Sequence, residues 1–215
     1  MASRDDRPSA QLTARGAATK ARIVAAAAAL IREHGVAGTS LESVMTATAT
    51  SRSQLYHYFA NKDALVGDVI KSQLGAVIAA QEPMLSQLSS WDGLQRWCDH
   101  LITMVRETQG IGGCPLGSLV GELADRSESA RRELERSFAA WQAYLSTGFA
   151  AMRDNGEFAA EPDVDELALT MMTALQGGLL MAQTTRSARP LELALDMALG
   201  HVAGYRGGSS QQARR

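Results

Sequence analysis

Apolar residues recur at the spacing of an α-helix through most of the chain. Ile23, Ala27, Leu30 and Ile31, for example, follow one another at the intervals that place side chains on one face of a helix. Proline occurs only five times in 215 residues, and almost no segment has the alternating pattern of a strand. Because a chain of this length with 46% hydrophobic residues can bury a substantial core, these features predict an all-α fold.

Capping residues and glycines divide this pattern into separate helices. Thr19 is the expected N-cap of the first helix, and Gly35 and Gly38 are the residues expected to end it. Ser51 and Asn61 are the expected N-caps of two later helices, the first short and the second long. The predicted helices cover about 19–34, 40–47, 51–59, 62–81, 91–109, 115–125, 127–155, 163–185 and 190–205.

The two parts of the chain differ in charge, although the whole chain carries a net charge of only −2. Residues 1–71 carry +3 and residues 72–215 carry −5, so a polyanion would meet the N-terminal part. The N-terminal residues are polar, unlike a secretory leader, and the longest strongly apolar stretch, residues 23–31, is too short to span a membrane. We therefore expect a reduced, cytoplasmic protein with no membrane partner.

Residues 40–59 combine two short helices with a three-residue turn, which is the pattern of a helix-turn-helix unit. In such a unit the N-terminal residues of the second helix face base edges in the major groove of DNA. Arginine suits a bidentate contact to guanine, and glutamine suits one to adenine. The residues predicted to read DNA are Ser51, Arg52, Ser53 and Gln54.

The remainder of the second short helix separates into an inner and an outer face. Leu55 and Phe59, four residues apart, are expected to anchor the helix inward. The three polar aromatic residues at 56–58 cannot all be buried, and phosphate is a natural partner for their polar edges. Lys62, at the start of the next helix, is expected to bind a phosphate together with the free backbone N–H groups there.

The stretch "TKARIVAAAAALIREHGVAGTSLESV" followed by "SRSQLYHYFANKDAL" resembles the DNA-binding domain of the TetR family of bacterial transcriptional regulators. The resemblance covers about residues 19–70. It implies binding to double-stranded operator DNA. The implied contacts place Thr39 or Ser40 and Lys62 against phosphates, and Tyr56 and His57 at the groove or backbone.

The turn departs from the family pattern. The family commonly has glycine followed by valine where this chain has Ala49 and Thr50. Because a positive φ is unfavourable for alanine, we expect the turn to be shaped slightly differently.

The chain is expected to contain two domains and two flexible ends. The predicted divisions are a mobile arm (1–17), a helix-turn-helix domain (18–66), a helical ligand-binding and dimerisation domain (67–206) and a disordered tail (207–215).

The larger domain is rich in methionine and tryptophan, which line adaptable pockets but more often fill cores. Residues 112–125, "GGCPLGSLVGELAD", and 184–196, "TTRSARPLELALD", resemble the LmrA- and YxaF-like subgroup of the family. That resemblance implies a small apolar or aromatic effector. The candidate pocket residues are Trp97, Leu101, Met104, Leu119, Trp141, Tyr144, Met171, Leu175 and Gln176.

The last two predicted helices are expected to form a homodimer interface. Residues 168–183 are apolar nearly all round, and Gly177 and Gly178 would permit close helix approach. Packing within a single chain is the alternative. The face of the last helix expected to pair across a two-fold axis consists of Leu191, Leu195, Ala198, Leu199 and Val202.

The two cysteines leave two other functions open. Cys114 precedes Pro115 at a predicted helix start, where a thiol pKa would be lowered, so a redox-responsive regulator using Cys98 or Cys114 is one alternative. A helical enzyme with Cys114 as nucleophile is the other, although no catalytic base is visible. We expect a dimeric, ligand-responsive repressor with no catalytic residues, metal or cofactor.

Overall fold

Residues 12–206 of the protein are described here from a computed structural model. Within this range the chain forms nine α-helices and a short 3₁₀ helix at Leu85–Gln87, and none of these helices is long and apolar enough to cross a membrane. The prediction of an all-α fold is confirmed. The helices are α1 (Ala14–Gly38), α2 (Leu41–Thr48), α3 (Arg52–Tyr58), α4 (Lys62–Gln81), α5 (Trp91–Thr108), α6 (Pro115–Leu123), α7 (Glu128–Asp154), α8 (Val164–Thr185) and α9 (Arg189–Ala203).

Helix α1 begins earlier than the sequence pattern predicts. Thr13 is its N-cap, and the Thr13 hydroxyl accepts a hydrogen bond from the Gly16 N–H at 3.2 Å. The prediction of Thr19 as N-cap is wrong, because Thr19 lies inside the helix and its hydroxyl donates to the Arg15 carbonyl. The first turns of α1 are mostly exposed and therefore carry no apolar periodicity. Residues 1–11 of the predicted arm and the predicted tail, 207–215, lie outside the described residues.

The remaining helix ends lie close to their predicted positions because local capping signals set them. Asn61 Oδ1 accepts a hydrogen bond from the Ala64 N–H at 2.9 Å at the start of α4. Gly35 has a φ of 73° and kinks α1 shortly before the helix ends at Gly38. Both predicted stop glycines thus mark the end of the first helix.

The chain divides into two compact units between Ser72 and Gln73, inside α4. The predicted domain boundary after residue 66 lies six residues before this division. The helix α4 continues through both positions, since its sequence contains no proline that would interrupt it. In the N-terminal unit α1 packs against α2. The core of this unit includes Ile23, Ala27, Val44, Leu55, Phe59, Leu65 and Ile70.

In the second unit α8 packs against both α7 and α9. A Cβ added to Gly178 would lie 2.9 Å from the Leu191 Cα, so glycine allows α8 and α9 to approach closely. The α9 face predicted for the dimer is buried within this chain, and that prediction is wrong for Leu191, Leu195, Ala198 and Val202. The reason is that α8 of the same chain offers an apolar partner. The large apolar residues that α9 leaves exposed are Leu193 and Met197.

Candidate DNA-binding unit and ligand cavity

Helices α2 and α3 each begin with a reciprocal pair of capping hydrogen bonds. The Ser40 hydroxyl accepts from the Ser43 N–H at 3.0 Å, and the Ser43 hydroxyl oxygen accepts from the Ser40 N–H at 3.1 Å. At α3 the Ser51 hydroxyl accepts from the Gln54 N–H at 3.2 Å, and Gln54 Oε1 accepts from the Ser51 N–H at 3.2 Å. These caps stabilise two helices that are too short to be stable alone.

The turn between α2 and α3 contains an alanine in the left-handed conformation. Ala49 has φ 48° and ψ 37°, its N–H donates to the Thr46 carbonyl, and the Thr50 N–H donates to the Met45 carbonyl. This is the hydrogen-bond pattern of the Schellman motif, which glycine usually completes. The expectation of a turn that avoids this conformation is wrong. The turn is formed at a backbone cost of about 1 kcal/mol for alanine relative to glycine.

Helix α3 is anchored by two apolar side chains and directs its polar ones outward. Leu55 is fully buried and Phe59 is 1% exposed, which confirms the predicted inner face. Tyr56 is 42% exposed, and the Arg52 guanidinium carbon lies 5.6 Å from the centre of its ring. The predicted DNA-reading residues that are solvent-exposed are Ser51, Arg52, Ser53, Gln54, Tyr56 and His57.

Two of the predicted DNA contacts already have partners within the chain. Gln54 Oε1 holds the Ser51 N–H, so a bidentate contact to a base would require this cap bond to open. Lys62 Nζ donates to the Val36 carbonyl at 2.5 Å, which uses part of its capacity as a donor. Both side chains therefore stabilise the helix-turn-helix unit as well as lying at its predicted DNA-binding side.

Thr39 does not present its hydroxyl to solvent. The residue is buried, and its hydroxyl donates to the Gly35 carbonyl at 2.9 Å across the kink of α1. Of the two residues considered for the phosphate contact, Ser40 is the exposed one and forms the N-cap of α2.

Basic residues of α1 form internal contacts. Lys20 pairs with Asp68 of α4 at 2.6 Å and also lies 5.6 Å from the centre of the Phe59 ring. Arg22 donates from its guanidinium to the Thr48 carbonyl at the end of α2. These two cations therefore hold α1 against α4 and α2. Fewer positive charges are then available to DNA than the net charge of +3 for residues 1–71 indicates.

The second unit contains a cavity of about 540 Å³ between α6, α7 and α8. Its lining is mainly apolar, and no acidic, basic or histidine side chain is among the described residues that form it. Leu169 and Leu180 are largely exposed where they border it. The lining consists of Cys114, Gly117, Ser118, Val120, Phe138, Gln142, Leu169, Met172, Thr173, Gln176, Gly177, Leu180 and Gln183.

Only Gln176 of the nine predicted pocket residues lines this cavity. Tyr144 lies instead in a second groove of about 400 Å³ between the 3₁₀ helix and α7, and Met104 is half-buried and lines neither space. Helical periodicity identified side chains that point inward but not the place where packing leaves room. The predicted pocket residues that belong to the packed core are Trp97, Leu101, Leu119, Trp141, Met171 and Leu175.

Neither thiol has the lowered pKa that the redox and nucleophile hypotheses require. Burial, with smaller contributions from the nearby Asp99 and Asp196 carboxylates, raises the pKa of Cys98 to about 12. Burial also raises the pKa of Cys114, although hydrogen bonds from the Gly117 N–H and neighbouring groups oppose the rise. The expected lowering at the start of α6 is therefore wrong, because desolvation outweighs the helix terminus.

Two tryptophans at equivalent depth differ in how their indole N–H groups are satisfied. Trp97 Nε1 donates to Gln81 Oε1 at 2.9 Å, and both side chains are buried. Trp141 is also buried, stacks 6.4 Å from Phe138, and its Nε1 has no hydrogen-bond partner among the described residues. No group of three or more metal-ligating side chains occurs in residues 12–206.

An exposed, capped recognition helix followed by a separate helical domain defines a helix-turn-helix transcriptional regulator. Residues 23–69 match the family described as bacterial regulatory proteins of the tetR family. Residues 91–198 match the tetracyclin repressor-like C-terminal domain. The chain belongs to the TetR family of bacterial transcriptional regulators, which confirms the resemblance seen in the sequence.

Relatives match over most of the chain. A helix-turn-helix regulator from the lacX 3′ region of Lactococcus lactis is 28% identical, over 83% of this chain and 90% of its own. YxaF of Bacillus subtilis is 24% identical over 85% of this chain and 93% of its own, and LmrA of that organism also matches. A TetR-family regulator from Mesorhizobium loti has the same fold, with a TM-score of 0.75 at 24% identity, over 91% of this chain and 100% of its own.

These matches fix the class of activity. The relatives are transcriptional regulators rather than enzymes, so the chain is a regulator and the hypothesis of a helical enzyme is set aside. Regulators of this family bind operator DNA and small-molecule effectors and act as dimers.

Proposed function

We propose that this protein is a cytoplasmic, ligand-responsive repressor that binds a palindromic operator as a homodimer. The observation that carries the proposal is the outward polar face of α3, held by the buried Leu55 and Phe59 and by the caps at both short helices. Two copies of α3 related by a two-fold axis would enter successive major grooves on one side of the duplex.

Arg52 is the proposed base-reading residue. It is exposed at the first turn of α3, and no acidic partner holds it among the described residues that form ion pairs. Gln54 would read a second base after releasing the Ser51 N–H. The proposed supporting contacts to phosphates and neighbouring bases come from Ser40, Ser51, Ser53, Tyr56, His57 and Lys62.

Arg52→Ala tests this assignment against an operator selected by the wild-type protein from a random duplex library. We expect affinity to fall about 10- to 100-fold, with relaxed preference at one base pair of each half-site. Arg132→Ala removes an exposed arginine from α7 and serves as the matched control, with affinity unchanged. An equal effect of both substitutions would show that Arg52 contributes only charge.

The proposed dimer interface is the exposed apolar surface of α8 and α9. Met181, Leu193 and Met197 are at least half exposed in the single chain, an unusual density of large apolar side chains for two adjacent helices. Met197→Asp is expected to give a monomer by analytical ultracentrifugation, while a dimer of unchanged stability would contradict this choice of surface.

The proposed effector site is the cavity between α6, α7 and α8. Its volume and mainly apolar lining are those of a small-molecule site. Effector and operator would favour different conformations of the dimer, in which the two recognition helices are separated by different distances. Each ligand would then weaken binding of the other by the same factor.

A further inference from the structure

The cavity between α6, α7 and α8 opens to solvent along one face of α8. The α8 residues that line the cavity and are also exposed are Leu169, Thr173, Gly177 and Leu180. Because they recur at intervals of three or four residues, they form one stripe along the helix, called the α8 stripe below. Leu169 is 56% exposed and Leu180 is 64% exposed, so the mouth of the cavity is apolar.

The sequence of α8 is unlike that of a helix with a solvated face. Residues 167–185 contain no acidic or basic side chain, although several of them are exposed in the single chain. An exposed helix face normally carries charged residues, whereas charged residues are depleted at the buried centre of a protein interface. The composition of α8 therefore favours a stripe that is covered in an assembly.

The α8 stripe is continuous with the surface proposed for the dimer. Met181 follows Leu180 directly, and Leu193 and Met197 extend the exposed apolar surface onto α9. A Cβ added to Gly177 would meet nothing within 4 Å, so the middle of the stripe leaves room for another helix. Since a two-fold interface brings the same surface of two copies together, a second copy on α8 and α9 would lie over the mouth of the cavity.

Covering the mouth would change what the cavity can hold. Small-molecule sites in proteins bury most of the surface of their ligands. A cavity that ends at exposed leucines leaves part of an apolar ligand in water, and the hydrophobic contribution to binding scales with the apolar area that is removed from water. The single chain is therefore an incomplete site for an apolar ligand.

We propose that a second copy of the chain closes the mouth of the cavity, so that the effector site is complete only in the dimer. The inference rests on the proposed effector role of the cavity and adds that the partner protomer forms part of its wall. Effector binding and dimerisation are then linked. Each strengthens the other by the same factor.

The first test measures binding of N-phenyl-1-naphthylamine, a neutral aromatic probe that fluoresces in apolar surroundings, to the full-length protein. Met197→Asp is the monomeric variant, and Met197 does not line the cavity. This variant should bind the probe at least about tenfold more weakly than the wild type. Leu12→Asp, at an exposed apolar residue of the N-terminal unit, adds the same charge and should leave the affinity unchanged. Circular dichroism establishes that both variants are folded.

The second test measures the cover over the mouth directly. Leu180→Cys places a thiol on the α8 stripe, and its reaction with 5,5′-dithiobis(2-nitrobenzoate) is compared with that of Arg132→Cys on α7. The reaction of the parent protein, whose two cysteines are buried, is subtracted. In the dimer the thiol at position 180 should react at least about tenfold more slowly than the thiol at position 132. In the Met197→Asp background the two rates should be similar.

The possible failures are distinguishable. Equal probe affinity of the Met197→Asp monomer and the wild type would overturn the inference while leaving the cavity as an effector site of the single chain. Fast reaction at position 180 in the dimer, or slow reaction there in the monomer, would also overturn it. If Met197→Asp remains a dimer, the two thiol rates in the wild-type background decide, with slow reaction at position 180 supporting closure and fast reaction refuting it. Failure of the probe to bind the wild type would count against the effector role itself, and with it the inference.

Discussion

In the helix-turn-helix unit the side chains of Leu55 and Phe59 are almost wholly enclosed, whereas α6, α7 and α8 leave a cavity of about 540 Å³ between them. The first region holds short helices by caps and a few anchors and points its polar groups outward. The second packs the short α6 against two long helices, α7 and α8, and leaves a buried amide and a buried indole N–H without partners among the described residues. A rigid surface suits recognition of a fixed duplex, and an incompletely satisfied interior suits a ligand that completes it.

The largest effect is expected from Leu55→Ala, which removes the anchor of α3. Because the Leu55 side chain is fully buried, its truncation leaves a cavity. The substitution should lower the free energy of unfolding of the N-terminal unit by about 2–5 kcal/mol and abolish operator binding. Tyr56→Ala is the control, because that side chain is 42% exposed and should cost little stability. Urea denaturation monitored by circular dichroism measures both. A smaller loss of unfolding free energy for Leu55→Ala than for Tyr56→Ala would contradict the role of Leu55 as the anchor of α3.

The two buried tryptophans sharpen the comparison inside the second unit. Trp97→Phe should cost about 1–3 kcal/mol because it leaves Gln81 Oε1 buried without its donor. Trp141→Phe removes an N–H that has no partner among the described residues, so its cost should be smaller by at least about 1 kcal/mol. Thermal unfolding of the two variants gives the difference directly, and equal losses would contradict the hydrogen-bond assignment.

Loss of the cap at α3 should have an intermediate effect. Ser51→Ala removes the acceptor for the Gln54 N–H and should destabilise the N-terminal unit by about 1 kcal/mol. Ser53→Ala, two residues further on, removes an exposed hydroxyl that forms no cap and should change stability by less than about 0.5 kcal/mol. Urea midpoints that move equally for the two variants would show that the cap does not stabilise α3.

The smallest expected effect is a gain. Ala49→Gly relieves the left-handed backbone of the turn and should raise the free energy of unfolding by about 0.5–1 kcal/mol. The same substitution at the exposed Ala47, inside α2, should lower it by a similar amount. Opposite signs in parallel urea titrations support the strained turn, and a loss at both positions would contradict it.

The features predictable from sequence were those that depend on nearby residues. Ser51 and Asn61 indicate the starts of α3 and α4, because their side chains can accept a hydrogen bond from the first turn of each helix. The four-residue spacing of Leu55 and Phe59 is enough to predict a buried face. The N-cap at Thr13 could not be predicted, because the first turns of α1 are exposed and contain no periodic apolar residues that would indicate a helix there.

The cavity could not be located in the same way. Trp97, Trp141 and Gln176 have similar signals in sequence, yet two are packed core and one lines the cavity. The distinction depends on how closely α6, α7 and α8 pack against one another, which the spacing of apolar residues along a single helix does not specify. The same limit explains why an apolar face of α9 was assigned to a dimer when α8 of its own chain covers it.

Operator recognition by α3 is tested by a fluorescence-anisotropy titration of the full-length protein with DNA from upstream of its own gene. A scrambled duplex of the same composition is titrated in parallel at two salt concentrations. Specific recognition of the operator by α3 predicts tight binding to the upstream duplex that survives competitor DNA and higher salt. Weak binding that is lost equally from both duplexes as salt rises would reflect electrostatic attraction alone and would contradict specific operator recognition by α3 at that sequence.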